Sequence, residues 1–94
     1  MLTVTKDAAV LLKAAKAAGS APDHAGIRIR RRVVSNAPGG LALSYAIRND
    51  PDPDDEEFEQ EGIRIFVEDA LIEPLDGHIL DVREASEGLE LVIR

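Results

Sequence analysis

The chain has 94 residues with 45% hydrophobic and 3% aromatic content, a formal net charge of −7 and no cysteine. That length fits one domain, spanning 1–94, with one modest core. The composition excludes disulfides, thiol catalysis, zinc ribbons and cysteine-ligated clusters, and it disfavours base-stacking platforms and nucleic-acid or membrane-surface binding.

Thr5 is a good N-cap, with Asp7 in the following first turn, and Ala8 to Ala18 is rich in strong helix formers. Lys13 and Lys16 lie toward the end that favours cations, and Gly19 is the expected stop. Val10, Leu11, Ala14, Ala17 and Ala18 fall near one helical face. Ser20 to Gly26 reads as a loop. From Ile27 the period becomes two: Ile27, Ile29 and Val33 point one way, and Arg28, Arg30 and Arg32 the other. Arg31 falls on the apolar side, so either a bulge starts there or that end of the strand is solvated. Asn36-Ala37-Pro38-Gly39-Gly40 is a turn by composition. A second strand follows, with Leu41, Leu43, Tyr45 and Ile47 on one face, and the pair forms a hairpin.

Asn49 to Gly62 reads as an acidic loop with two prolines and one apolar anchor, Phe58. Ile63 to Val67 is a strand, Glu68 to Pro74 a short helix, and Asp76-Gly77 a turn. His78 to Arg83 and Leu89 to Ile93 close the chain as two strands around Ser86-Glu87-Gly88. The expected fold is α+β: a compact, mostly antiparallel or mixed β domain with an N-terminal helix and one short helix before the last two strands.

Charge is unevenly placed. Residues 1–48 hold eight Lys/Arg against two Asp/Glu, whereas residues 49–94 hold three against sixteen. Such a chain is expected to fold its basic half against its acidic half. The Arg28/Arg30/Arg32 row can grip a phosphate, a carboxylate or an acidic protein surface, or be neutralised by carboxylates from the second half. The acidic loop lacks the central Gly and the terminal bidentate Glu of an EF-hand, so a solvated connector is expected rather than a metal site. His24 and His78, the latter near Asp76, sit in no recognised spacing with a nucleophile. No nucleophile elbow, phosphate-binding loop or His-rich metal spacing occurs. We expect no catalytic residues, no metal ligands and no cofactor. With no charged and apolar leader and no run of ~20 apolar residues, a cytoplasmic, non-membrane protein is expected.

Taken in order, these segments resemble the HesB-like domain, the family of A-type iron–sulphur cluster carriers. The likeness runs through Leu2-Thr3-Val4-Thr5 and Asp7-Ala8-Ala9, then Gly26-Ile27-Arg28-Ile29, Gly40-Leu41-Ala42, and the acidic connector with Phe58. Its most specific part is Gly62-Ile63-Arg64-Ile65-Phe66-Val67, then Leu75-Asp76-Gly77-x-x-Leu80-Asp81, then Gly88-Leu89. The resemblance implies a domain that dimerises or tetramerises. It further implies iron or a cluster held by one cysteine in the turn between the first two strands and a cysteine pair in a C-terminal tail. Here the turn places Pro38 or its neighbour where that cysteine belongs, and the 94 residues run to Ile93-Arg94 without the pair. Clusters need soft, anionic thiolates, which Asn, Pro and Gly do not supply. The resemblance thus implies the fold without the cluster site. It also implies an accessory or regulatory protein whose partners are cluster-assembly proteins. The alternative is a repurposed binding module that holds an anion or another protein with Arg28, Arg30, Arg32, Asn36, Pro38, Gly39 and Gly40. A metal-handling protein with oxygen and His ligands is the third possibility.

Overall fold

The computed structural model describes the backbone of residues 1–33 and 41–94, and side chains at 1–31 and 43–94. The Asn36–Gly40 turn, including Pro38 and Gly39, and the side chain of Arg32 lie outside the described residues. In chain order the elements are β1 (Thr3–Val4), α1 (Lys6–Ala18), β2 (Gly26–Val33), β3 (Leu41–Arg48), β4 (Asp55–Gln60), β5 (Ile63–Glu68), α2 (Asp69–Leu75), β6 (Ile79–Ala85) and β7 (Gly88–Ile93). They form a four-stranded sheet ordered β3-β2-β5-β4 and a three-stranded sheet ordered β1-β6-β7. Pairing is antiparallel except for β2 with β5 and β1 with β6, which are parallel. The fold is therefore α+β with mixed sheets, and the expected helix and strand order holds.

Two elements differ from the expectation. The second half of the acidic connector is not loop but strand β4, paired residue for residue with β5 from Asp55↔Glu68 to Gln60↔Ile63. A two-residue turn makes this hairpin. Glu61 and Gly62 have φ of 53° and 76°, the left-handed pair of a type I′ turn whose twist matches that of the flanking strands. The carboxylate-rich sequence has low strand propensity, but Phe58 faces the core, Glu57 and Glu59 face outward, and Glu56, on the side of Phe58, stays exposed. The other difference is β1, two residues that reading by periodicity left in the helix entry.

The described core comprises Leu2, Val4, Ala8, Ala9, Leu12, Ile27, Ile29, Ile63, Ile65, Val67, Leu71, Leu75 and Leu80. Burying each large aliphatic side chain contributes about 1.5–3 kcal/mol. Ile27 and Ile29 of β2 alternate inward as the sequence predicts. Arg31 resolves as a solvated end: it pairs in register with Leu43, no bulge interrupts β2, and its side chain is exposed.

Helix α1 is capped as read. The Thr5 hydroxyl accepts from the Ala8 amide at 3.1 Å. Its end differs in detail: Gly19 has φ −87°, and the left-handed residue is Ser20 at φ 54°. The Ser20 and Ala21 amides donate to the carbonyls of Ala17 and Lys16 at 3.1 and 3.0 Å, the double bond of a Schellman cap. The face of α1 turned to the core is Ala8, Ala9 and Leu12, not the Val10–Leu11–Ala14 stripe, and Val10 remains 67% exposed.

Candidate interaction surface

The outer face of the four-stranded sheet collects the charge. Side-chain alternation and register place Arg28 and Arg30 of β2, Arg64, Phe66 and Glu68 of β5, and Asp55, Glu57 and Glu59 of β4 on this face. Over it lies the segment 49–54, held by paired backbone bonds. The Asp55 amide donates to the Asp52 carbonyl at 2.9 Å, and the Asp69 amide to the Asp54 carbonyl at 3.0 Å. The Asp52 amide also donates to Asp55 Oδ2 at 2.8 Å. Prolines at 51 and 53 restrict the intervening backbone, so the carboxylates are presented in a fixed arrangement.

That arrangement pairs the arginine charges from within, although Arg28 Nε, Arg30 Nε and Asp55 Oδ1 are buried without a hydrogen-bond partner among the described residues. Asp52 Oδ2 accepts from the Nη2 of both Arg28 and Arg30, the latter at 2.6 Å. Arg28 Nε lies 3.2 Å from Asp55 Oδ2, and Arg30 Nη2 lies 3.5 Å from Asp54 Oδ1. The Asp55 side chain is fully buried and that of Arg28 is 12% exposed. A charge in such a position is costly unless paired, and here each is paired. The basic half folds against the acidic half, as the charge split predicts.

A second cluster sits one strand over. Arg64 holds Glu57 with two bonds, Nη2 to Oε1 at 2.8 Å and Nε to Oε2 at 3.2 Å. It also donates to the His24 carbonyl and stacks 5.0 Å over the Phe66 ring. The Glu57 bond is the main cause that raises the Arg64 pKa still further. Gly26 makes room for this stack: a Cβ there would sit 2.6 Å from the Arg64 carbonyl and 2.9 Å from Phe66 Cζ.

Among the described residues neither imidazole joins these groups, His24 taking part only through its carbonyl. His78 Nδ1 lies 3.0 Å from the Arg94 carbonyl, while Asp76 pairs with the amino group of Met1. Among the described residues no group of three His, Cys, Asp or Glu side chains is placed to hold a metal ion. No helix among them is long and apolar enough to cross a membrane.

Apolar hollows that the sequence reading missed flank the core. A cleft of about 470 Å³ between β3 and β7 is lined by Leu43, Tyr45, Pro74, Leu75, His78 and Leu91, among others. Burial there pushes the Tyr45 hydroxyl pKa up. A groove of about 460 Å³ runs between α1 and the β6–β7 hairpin. Alternation alone does not reveal such hollows, because they depend on how far apart two sheets and a helix settle.

Solved structures share this fold. IscA carrying a 2Fe–2S cluster superimposes with a TM-score of 0.85 at 21% identity, covering 100% of this chain and 84% of that one. SufA of Escherichia coli, described as involved in the biosynthesis of iron–sulfur clusters, gives 0.78 at 24% identity over 99% of this chain and 83% of its own. A solution structure of an Aquifex aeolicus protein gives 0.72 at 20% identity, with 99% and 89% covered. No protein-family model and no curated protein matches the chain. The fold is that of the A-type cluster carriers, as the resemblance implied, in a cysteine-free chain.

The cluster seen on that fold does not fit the donors present here. These 94 residues contain no thiolate, and iron–sulphur clusters are held mainly through that ligand. Carboxylates abound, but those of the outer face are committed to guanidiniums or spread along β4.

Proposed function

We propose that this chain is a non-catalytic interaction protein built on the cluster-carrier fold. In this reading it works in the cytoplasm beside cluster-assembly proteins, as an accessory or regulator, without ligating a cluster through thiols of its own. One observation carries the reading: the whole chain follows the fold of a cluster-bearing carrier, yet these 94 residues contain no cysteine. A homo-oligomeric form belongs to the same reading, supported by the shared fold.

For the alternative, an anion or acidic-protein site on Arg28, Arg30, Arg32 and the 36–40 turn, the described residues bear only on Arg28 and Arg30. Asp52 already occupies the position between Arg28 and Arg30 that an incoming oxyanion would take, and a competitor would have to displace a tethered carboxylate.

Affinity capture from the native cells under anaerobic conditions tests the proposal. Cluster-assembly proteins should be enriched over a charge-matched control. Repeated capture without any of them would contradict it.

A further inference from the structure

The stripe Asp7, Val10, Leu11 and Ala14 follows the i, i+3, i+4, i+7 spacing of a helix face that packs against something. The core covers a different face, Ala8, Ala9 and Leu12. The uncovered stripe forms one wall of the 460 Å³ groove, and Val82, Glu84 and Leu89 of the β6–β7 hairpin form the other. Val10 and Leu89, 67% and 55% exposed, are two of the large hydrophobic side chains that the fold leaves in water, and both face this groove. The register explains the second wall. Leu80↔Ile93 lies over the core, while Glu84↔Leu89 continues the same hairpin face beyond it. Two separate elements thus place apolar surface side by side, with nothing over it among the described residues.

The rim has one sign. Asp7 and Glu84 are exposed and enter no ion pair among the described residues. Arg83, at the mouth, is neutralised by Glu90. Of the three α1 lysines none lines the groove: Lys6 is exposed at the helix start, Lys16 is turned to the Asp23 carbonyl, and Lys13 lies beside Gly62. An apolar floor with an acidic rim, two helical turns or on the order of 10 Å long, complements a helix with an apolar ridge and basic flanks.

We infer that the α1/β6–β7 groove is a docking site for an amphipathic helix of a partner protein, with Lys or Arg flanking its apolar face. This surface lies away from the arginine network and does not depend on any role in cluster assembly.

The test uses the full chain and two synthetic amphipathic peptides of about four turns, with leucines along one face and flanks of either Lys or Glu. Amide chemical-shift mapping should confine the response to the Lys peptide to residues 7–14 and 82–89. The Glu peptide should bind at least about tenfold more weakly, by a margin that shrinks with salt. Val10→Glu and Leu89→Glu should each weaken the Lys peptide at least about tenfold with an unchanged thermal midpoint, since both side chains are exposed. Four results would overturn the inference: no binding, shifts centred elsewhere, equal affinity for the two peptides, or a dimer of this chain that Leu89→Glu dissociates.

Discussion

Arg28 shows how one side chain is read twice. In the sequence it belongs to a basic row that can serve a ligand. In the fold it lies against Asp55, whose side chain is fully buried, and shares Asp52 with Arg30. Removing the guanidinium leaves the buried carboxylate with only the more distant Arg30 Nη2, at 3.8 Å, for countercharge, which costs more than an exposed ion pair contributes. We therefore expect Arg28→Ser to lower stability by about 2–4 kcal/mol in urea denaturation. An unchanged midpoint would show that the arginine is held ready for something outside the chain. Asp81 is the second residue of this kind. It accepts from the Val82 amide at 2.8 Å, from the Thr5 hydroxyl at 3.0 Å and from Arg94 Nε at 3.1 Å. The amide bond is the largest of the causes that hold its pKa below the usual carboxylate value. A depressed folded-state pKa contributes stability in full above the unfolded value of about 3.9, and that contribution is lost as the pH falls through the lower folded value. The stability gap between the native chain and Asp81→Asn should thus be present near neutrality and close below about pH 4. A gap that stays constant down to acid pH would contradict the assignment.

The elements meet through side chains that stand in for backbone. The two sheets share no strand, yet the Gln60 amide of β4 closes the gap to β1: its Oε1 accepts from the Val4 amide at 2.7 Å, and its Nε2 donates to the Leu2 carbonyl at 2.6 Å. Gln60 thus acts as one more peptide unit alongside β1. Gln60→Glu keeps the acceptor but loses the donor, leaving the Leu2 carbonyl unpaired in a partly buried site. It should cost about 1–3 kcal/mol by thermal or urea denaturation, and a neutral result would mean that the link is incidental. The same scale explains what was legible in advance. Helix α1, β2, β3, β5, α2 and the closing hairpin each carry a strong local signature: a cap, an alternation or a turn. β4 was not legible because its turn uses Glu61 at a position where Asn or Gly gives the usual signal, and because glutamates dominate the strand. β1 is too short for any period to show. The buried face of α1 does not show in the sequence, because the core selects small residues, Ala8 and Ala9, where the helix crosses close, and leaves the bulkier Val10 outside. Sequence hydrophobicity ranks side chains by size, whereas packing here selects by the room available.

At the scale of the whole molecule, charge segregation along the chain becomes charge pairing across one sheet face, and this is the part of the candidate site that the sequence did foretell. Residues 1–48 contribute Arg28 and Arg30, and residues 49–94 contribute Asp52, Asp54 and Asp55. The fold class was legible from the order of elements, and the likeness to the cluster carriers from the order of short motifs. Neither shows whether a surface is occupied from within, since that depends on side-chain reach across strands far apart in sequence. The function proposed rests on a fold that elsewhere bears a 2Fe–2S cluster and on a chain with no thiolate to hold one. The most direct test is the iron and sulphide content, with the visible spectrum, of untagged protein purified anaerobically from its native cells. The account predicts a colourless protein with iron and sulphide far below one equivalent per chain. Near-stoichiometric iron and sulphide with cluster absorbance would contradict it, and would mean that ligands other than this chain's own thiols complete the site.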